Sequence, residues 1–367
     1  MKDIIDVIID ARMVDRHLHG IARYTYELIK NGTHTNTVKY HLLVNDIDMA
    51  KEIFKGIEGI EYILMKSKFL SLQEQIELPR IVNKFKKNAI FHSPSFVGSP
   101  FINKPMIMTI HDLNHIRFPE FYTPFHKYYY KYIVKTSANK SKKILTVSNF
   151  SKGELVEWLG CSEDKVVVTY NGIDESFKRV TNKKQLGFIK DKYNLPRKFI
   201  LYVGNQKPHK NVGTLIKAFK ELGNEDIYLV MNGKPSNDNS KLIKELGISN
   251  KVKNIGFVDD EDLASLYSLA EMFVFPSLYE GFGLPPLEAM ACGCPVIVSD
   301  AASLPEVVGS SALVYSAKDN VELVNKIEQL LNNVNINAII EDGINRRLNF
   351  KWNICTKKTI DEYKKIF

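Results

Sequence analysis

A chain of 367 residues, 44% hydrophobic and 25% charged, has a globular composition and too much length for one ordinary core, so two domains are expected. No run approaches the roughly 20 consecutive apolar residues of a bilayer-crossing helix. The formal net charge of +8 favours anionic partners. Nucleic acid is one such partner, but the lysines are spread along the chain and no motif of the usual DNA- or RNA-binding modules occurs. An anionic membrane surface or a phosphorylated small molecule fits the charge equally well, and no nucleic-acid partner is expected.

The N-terminal "MKDIIDVIIDARM" carries acids inside its apolar run and has no small-residue cleavage site. It is expected to be a first strand rather than a leader, and the protein to be cytoplasmic. Strand-sized apolar runs follow: "YHLLVN", "EYILM", "NAIFHSP", "MIMTIHD", "KKILTVSN" and "KVVVTYNG", then "KFILYVG", "IYLVMNG", "KVKNIGFV", "MFVFPS" and "CPVIVSD". Helix-sized amphipathic segments separate them, which argues for βα repeats and parallel sheets. Twelve such strands are too many for one sheet of typical size. The polar stretch after "YNGIDESF" is expected to separate two domains. The expected division is a first domain over 1–178, a linker over 179–197, a second domain over 198–350, and a C-terminal helix over 351–367 returning to the first. Two facing doubly wound α/β domains would place strand C-terminal ends on both sides of a cleft, where such sheets bind ligands. Cys161, Cys292, Cys294 and Cys355 form no CxxC pair, and no His cluster completes a zinc site. Reduced, mostly buried thiols without a metal or redox role are expected.

The chemistry concentrates in "FVFPSLYEGFGLPPLEAMACGCPVIVSD", residues 273–300. "MFVFPS" reads as a buried strand, "LYEGFGL" as a loop, and Pro285-Pro286 as the start of a helix that Gly293 ends. Glu280 then stands on a loop beyond a strand, and Glu288 in the following helix. Gly281 and Gly283 leave backbone N–H groups accessible to an anion at a helix N-terminus, and the two carboxylates can accept bonds from sugar or ribose hydroxyls. Taken singly, Glu288 reads as a solvated acid favoured by the helix dipole and Gly-Phe-Gly as a turn. Strand, acid, glycine loop, proline-started helix and second acid together point to a site.

"EGFGLPPLE" resembles the Glu-x7-Glu signature of retaining glycosyltransferases of family 4, which have the GT-B fold of two facing Rossmann-like domains. "RMVDRHLHGIARYTYELI", "IHDLNHIRFPEFY", "TVSNFSKGEL", "VVVTYNGID", "LYVGNQKPHKNVGTLIKAF" and "VSDAASLPEVVGSSALVYSAKD" resemble the family's other motifs in their order. The final tryptophan-containing helix resembles the one that crosses back onto the first domain. The resemblance implies that Glu288 binds the nucleotide's ribose. It implies that Glu280 contacts the transferred sugar, with the backbone of Gly281, Phe282, Gly283 and Leu284 alongside. Lys210 resembles the lysine that holds the donor diphosphate, His111 the active-site histidine near the sugar, and Gly20 the residue that lets the first loop approach the phosphates. Read without the resemblance, Lys210 is a surface lysine and His111 a hydrogen-bonded histidine at a strand end. Many relatives carry an arginine after the strand-ending glycine, whereas here Gly204 is followed by Asn205; Lys207 is the candidate replacement. Ala22 stands where a second glycine of the first loop is common.

The resemblance implies transfer of a hexose from a nucleoside diphosphate sugar with retention, the leaving phosphate helping to deprotonate the acceptor. No metal or other cofactor is expected. The style of the motifs is similar to that of bacterial mannosyl- or rhamnosyltransferases of surface polysaccharides, which makes GDP-mannose the first donor and a glycan or lipid-linked glycan the acceptor. In "SKFLSLQEQIELPRIVNKFKKN", Phe69, Leu72, Ile76 and Leu78 accompany Lys66, Lys68, Arg80 and Lys84. "FHKYYYKYIVKTSANKSKK" is basic and aromatic. Both segments suit the inner face of the plasma membrane, or equally amphipathic helices packed on their own sheet. A sugar-nucleotide 2-epimerase of the same fold, or an inactive nucleotide-sugar-binding scaffold, would use the same cleft.

Overall fold

The computed structural model describes residues 4–16, 18, 20–35, 37–121, 123, 127–332 and 336–367. The chain divides into two compact units, one of Met1–Gly172 with Trp352–Phe367 and one of Ile173–Lys351.

The first unit is built on seven strands: β1 (Ile5–Asp10), β2 (Val38–Val44), β3 (Ile60–Leu64), β4 (Ile90–Ser93), β5 (Met106–Thr109), β6 (Lys143–Thr146) and β7 (Val166–Val168). They lie in the order β3-β2-β1-β4-β5-β6-β7, and every pairing is parallel. Because successive side chains point to opposite faces, Val7 and Ile9 enter one core and Ile8 the other. That explains why the central strands read as continuous apolar runs rather than as alternation. The C-terminal helix Trp352–Lys364 lies on the Val7 side, contributing Trp352, Cys355, Ile360 and Tyr363 to the core that the helix Ile21–Thr33 also fills.

The second unit repeats the plan with β8 (Phe199–Tyr202), β9 (Tyr228–Met231), β10 (Val252–Asn254), β11 (Met272–Phe275), β12 (Val296–Ser299) and β13 (Leu313–Tyr315). Their order is β10-β9-β8-β11-β12-β13, again all parallel. Counted from its own first strand, the second unit runs 3-2-1-4-5-6, the doubly wound order, and the first unit runs the same way with a seventh strand added at the end. The order reverses between β1 and β4 in the first unit and between β8 and β11 in the second. The strand β13 lies in "SSALVYS", whose four residues between serines give no strand-length signal.

Residues 179–197, read from the sequence as a linker, belong instead to the second unit and contain the helix Lys183–Lys192. Asn182 starts it, its Oδ1 accepting from the backbone N–H of Lys184 (3.0 Å) and Gln185 (3.3 Å). Ile189 and Leu195 enter the core, and Lys192 pairs with Asp259 and Asp262 at 2.8 and 2.6 Å. The polarity that suggested a linker is the solvated face of a one-sided helix.

Candidate active site

In the second unit the strand-order reversal gathers two loops. The first follows β8 over residues 203–211 and contains a short 3-10 turn, Pro208–Lys210. The second follows β11 and carries Glu280 to Gly283. They are tied together by the N–H of Leu278 donating to the carbonyl of His209 at 2.8 Å. Across this seam the Lys210 ammonium lies 2.7 Å from Glu280 Oε1, with side chains 15% and 14% exposed. The same ammonium stands 5.8 Å from the centroid of the Phe275 ring. Partial burial strengthens the pair relative to a surface one, yet both groups remain within reach of solvent. His209 is buried beneath it. Burial first, then the Lys210 and Lys207 charges, push its imidazole down to about 4, so it is neutral near pH 7.

The glycine loop is set by sterics. Gly283 has φ 105°, and a Cβ there would come within 2.8 Å of Leu304 Cδ2, so only glycine fits. Leu284 opens the helix Leu284–Ala291 with prolines in its first turn. From beneath, the buried Ser303 Oγ lies 2.9 Å from the carbonyl of Glu280 and 2.8 Å from that of Phe282, donating to both. The Phe282 ring packs edge-on against Phe350 at 5.5 Å, and the Arg346 guanidinium sits 5.2 Å from the Phe350 centroid. Glu288 stands in the second turn of the helix, half-buried, and its Oε2 accepts from the Tyr267 hydroxyl at 3.2 Å. Burial, reinforced by the Glu288 charge, holds that hydroxyl protonated.

Gly204 ends β8's extension with φ 148°, and its N–H donates to Asn232 Oδ1 at 2.8 Å. Asn205, which stands in place of the expected arginine, shapes the turn. Its carbonyl accepts from the Tyr202 hydroxyl at 2.6 Å and its Oδ1 from the N–H of Lys207 at 3.2 Å. The Lys207 side chain is exposed beside that turn.

The first unit places His111 just beyond β5. Its Nε2 lies 2.9 Å from the carbonyl of Pro94. A carbonyl only accepts, so Nε2 carries the proton and Nδ1 is the acceptor nitrogen. Burial pushes the ring down to about 4, and Tyr24 packs edge-on at 4.8 Å. Behind it runs a buried relay: Tyr363 hydroxyl to His92 Nδ1 at 2.5 Å, His92 Nε2 to Thr109 Oγ1 at 2.8 Å, and Thr109 to the Tyr24 hydroxyl at 3.0 Å. Gly20 precedes the helix Ile21–Thr33 with φ 55° and ψ −119°, a combination open to glycine alone. A Cβ there would meet nothing within 4 Å, so the constraint is conformational rather than steric.

One cluster was not singled out from the sequence. Arg12, two residues past β1, has a fully buried side chain and bridges Asp10 and Glu74, each at 2.7 Å. It also donates to the carbonyl of Ser67 at 3.3 Å. Glu74 accepts from the Tyr129 hydroxyl at 2.7 Å. Burial raises the Glu74 carboxyl despite these partners. The cluster pins the helix Glu74–Val82 to the end of β1. Charged residues in "DARM" and "LQEQIELP" were its only signal, and neither the strand end read in the first segment nor the amphipathic helix read in the second demands the other as a partner.

The basic, aromatic segments divide by face. Leu78, Tyr129 and Tyr130 are core residues, whereas Leu72, Ile76, Tyr128 and Tyr132 are exposed. Tyr128 and Tyr132 stack at 6.3 Å. Phe69 instead packs on Phe96 and under the Arg12 guanidinium. Phe125 and His126, which open the second segment, lie outside the described residues. Among those that are described, no helix is long and apolar enough to cross a membrane.

A cation, a carboxylate and a glycine-capped helix N-terminus thus lie together at the strand-order reversal of the second unit's parallel sheet, the place where sheets of this kind bind ligands. The chain belongs to the family 4 glycosyltransferases with the GT-B fold: the family described as glycosyltransferase family 4 matches residues 18–177, and that described as glycosyl transferases group 1 matches residues 185–346. O-antigen chain mannosyltransferase B of Escherichia coli is 33% identical over 286 residues, 76% of this chain and 74% of that protein. The serotype-specific mannosyltransferase WbdA of the same species is 32% identical over 255 residues, 65% of this chain but only 31% of that longer protein. Among solved structures, HepE of Anabaena, in complex with UDP and glucose, superposes with a TM-score of 0.78 over 99% of this chain and 100% of that one, at 16% identity.

Proposed function

We propose that the protein transfers a mannosyl residue from GDP-mannose to a hydroxyl of a glycan or lipid-linked glycan, with retention of configuration, in the assembly of a surface polysaccharide. The observation that carries this reading is the Lys210–Glu280 pair at 2.7 Å beside a glycine-capped helix N-terminus. That arrangement offers a cation and backbone N–H groups to a diphosphate and a carboxylate to sugar hydroxyls. Mannose is favoured by the names of the relatives above, and by nothing in the pocket itself. In this proposal Lys210, the backbone N–H groups of Gly281, Phe282, Gly283 and Leu284, and Lys207 meet the diphosphate, Gly204 and Asn205 line its loop, and Glu288 takes the ribose hydroxyls. Glu280 takes the hexose hydroxyls. In the first unit, Gly20 leaves the loop open for the phosphates, and neutral His111 accepts a hydrogen bond from the sugar through Nδ1.

Negative charge grows on the diphosphate as the bond from the anomeric carbon to the phosphate oxygen breaks, and preorganised cations and dipoles stabilise it without a metal cofactor. The acceptor oxygen forms the new bond on the same face and its proton passes to the leaving phosphate oxygen. The first unit is assigned the acceptor. Exposed Tyr128, Tyr132, Leu72 and Ile76 among lysines favour contact with an anionic membrane at the inner face of the plasma membrane.

Isothermal titration with GDP-mannose, UDP-glucose, UDP-GlcNAc and dTDP-rhamnose tests the donor. Binding of one, weakened in Glu288→Ala, supports the reading, and a folded protein that binds none of them removes it. NMR of the product tests retention, since an inverted anomer is incompatible with same-face transfer.

A further inference from the structure

The pair between Lys210 and Glu280 has a consequence for which ligand the site retains. With no ligand, each charge has the other as partner at 2.7 Å, in a position where water reaches both only partly. A diphosphate entering the loop after β8 draws the Lys210 ammonium to itself. Glu280 then loses its cation and faces a second anion in a half-buried setting, which is costly unless new donors reach it. A free nucleoside diphosphate supplies none. An intact sugar nucleotide supplies hexose hydroxyls, which replace the lost ion pair with charge-assisted hydrogen bonds.

We propose that the Lys210–Glu280 ion pair is exchanged on donor binding, and that Glu280 thereby makes the site favour an intact sugar nucleotide over the free nucleoside diphosphate left after transfer. Two features suit the pair to exchange. The Phe275 ring, 5.8 Å from the Lys210 ammonium, gives that cation an attraction that does not depend on Glu280. The Glu280 backbone is held independently by Ser303, so the carboxylate can change partner while the loop stays in place. The pair re-forms as the product leaves, which makes release downhill for a group that bound as part of a larger ligand.

This inference rests on the donor site proposed above, and its test separates the two. The measurement is the dissociation constant for GDP and for GDP-mannose by titration calorimetry, and for UDP and UDP-glucose if the donor screen selects uridine. Wild type is expected to bind the sugar nucleotide more tightly than its diphosphate. In Glu280→Gln, whose amide needs no cation, that preference is expected to fall at least about tenfold, with part of the change appearing as tighter GDP binding. Glu280→Ala repeats the comparison with the carboxylate removed, and circular dichroism melts establish that the variants fold. An unchanged preference, or a GDP affinity that is unchanged or weaker in both variants, overturns the exchange while leaving the donor site standing. Failure of wild type to bind either ligand of either pair overturns both.

Discussion

The two units share one strand order and place a basic residue in the same region, past the carboxyl end of their first strand, yet they treat its charge in opposite ways. In the first unit Arg12 is sealed: two carboxylates and a backbone carbonyl surround a guanidinium with no exposed side-chain surface. In the second, Lys210 meets one carboxylate and keeps an opening to solvent. A sealed, fully partnered charge is committed to the fold, because any change of partner strands an anion in a medium that cannot solvate it. A half-open pair costs little to make and little to exchange. The comparison separates charge used to hold a unit together from charge left open to a change of partner.

The strongest way to break that distinction is to remove each cation in turn. Arg12→Ala leaves Asp10 and Glu74 buried without their counter-charge and is expected to cost about 3–5 kcal/mol of stability, read from urea unfolding. Lys210→Ala leaves only one, partly exposed carboxylate without its cation and is expected to cost clearly less stability than Arg12→Ala, while weakening sugar-nucleotide binding by about 1.5–3 kcal/mol, the value of a hydrogen bond to a charged group. Equal losses of stability in both variants would end the distinction drawn here.

Acid sharpens the same contrast in the first unit. Burial, with a contribution from His111, pushes His92 down to about 3, well below the ordinary value near 6.5. The unfolded chain therefore binds a proton that the folded one refuses. Stability is full above about pH 6.5 and falls as pH drops toward the folded value. At pH 5 the loss from His92 alone is roughly 2 kcal/mol. His92→Gln is expected to flatten the profile of melting temperature against pH between 6.5 and 4. An unaltered slope would place the acid sensitivity elsewhere, with His111 the next group to replace. The sign also bears on activity: His111 stays neutral across the working range, so rate profiles between pH 5 and 8 are expected to carry no step from it.

The sequence was most legible where function occupies one contiguous stretch. The run from "MFVFPS" through "CPVIVSD" shows its strand, loop, helix and strand in order because Gly283, the two prolines and Gly293 each punctuate the backbone locally. Arg12 and Glu74 were invisible because they meet across 62 residues, and neither flanking segment carries a pattern that demands a partner. Composition misled at residues 179–197, where one buried isoleucine face is too narrow to outweigh ten polar neighbours' worth of solvated surface. The basic, aromatic segment around Tyr128–Tyr132 reads as one uniform stretch, yet Tyr129 and Tyr130 are core and their neighbours are not. Only the helical geometry assigns the faces.

Ser303 offers the finest test of what the second unit keeps fixed. Its hydroxyl carries one proton shared between the carbonyls of Glu280 and Phe282, and the side chain is wholly buried. Ser303→Ala removes that bridge without adding bulk, at a cost near 1 kcal/mol. If the bridge only braced the fold, the loss would appear as a lower melting temperature with unchanged donor affinity. If it holds the Glu280–Gly283 loop in the shape that meets a diphosphate, donor affinity falls several-fold while Lys210 and Glu288 are untouched, and the donor KM rises more than kcat falls. The second outcome is expected, because both carbonyls belong to the loop that presents Glu280, and the edge-on packing of Phe282 on Phe350 restrains only the ring and not the peptide planes on either side of it.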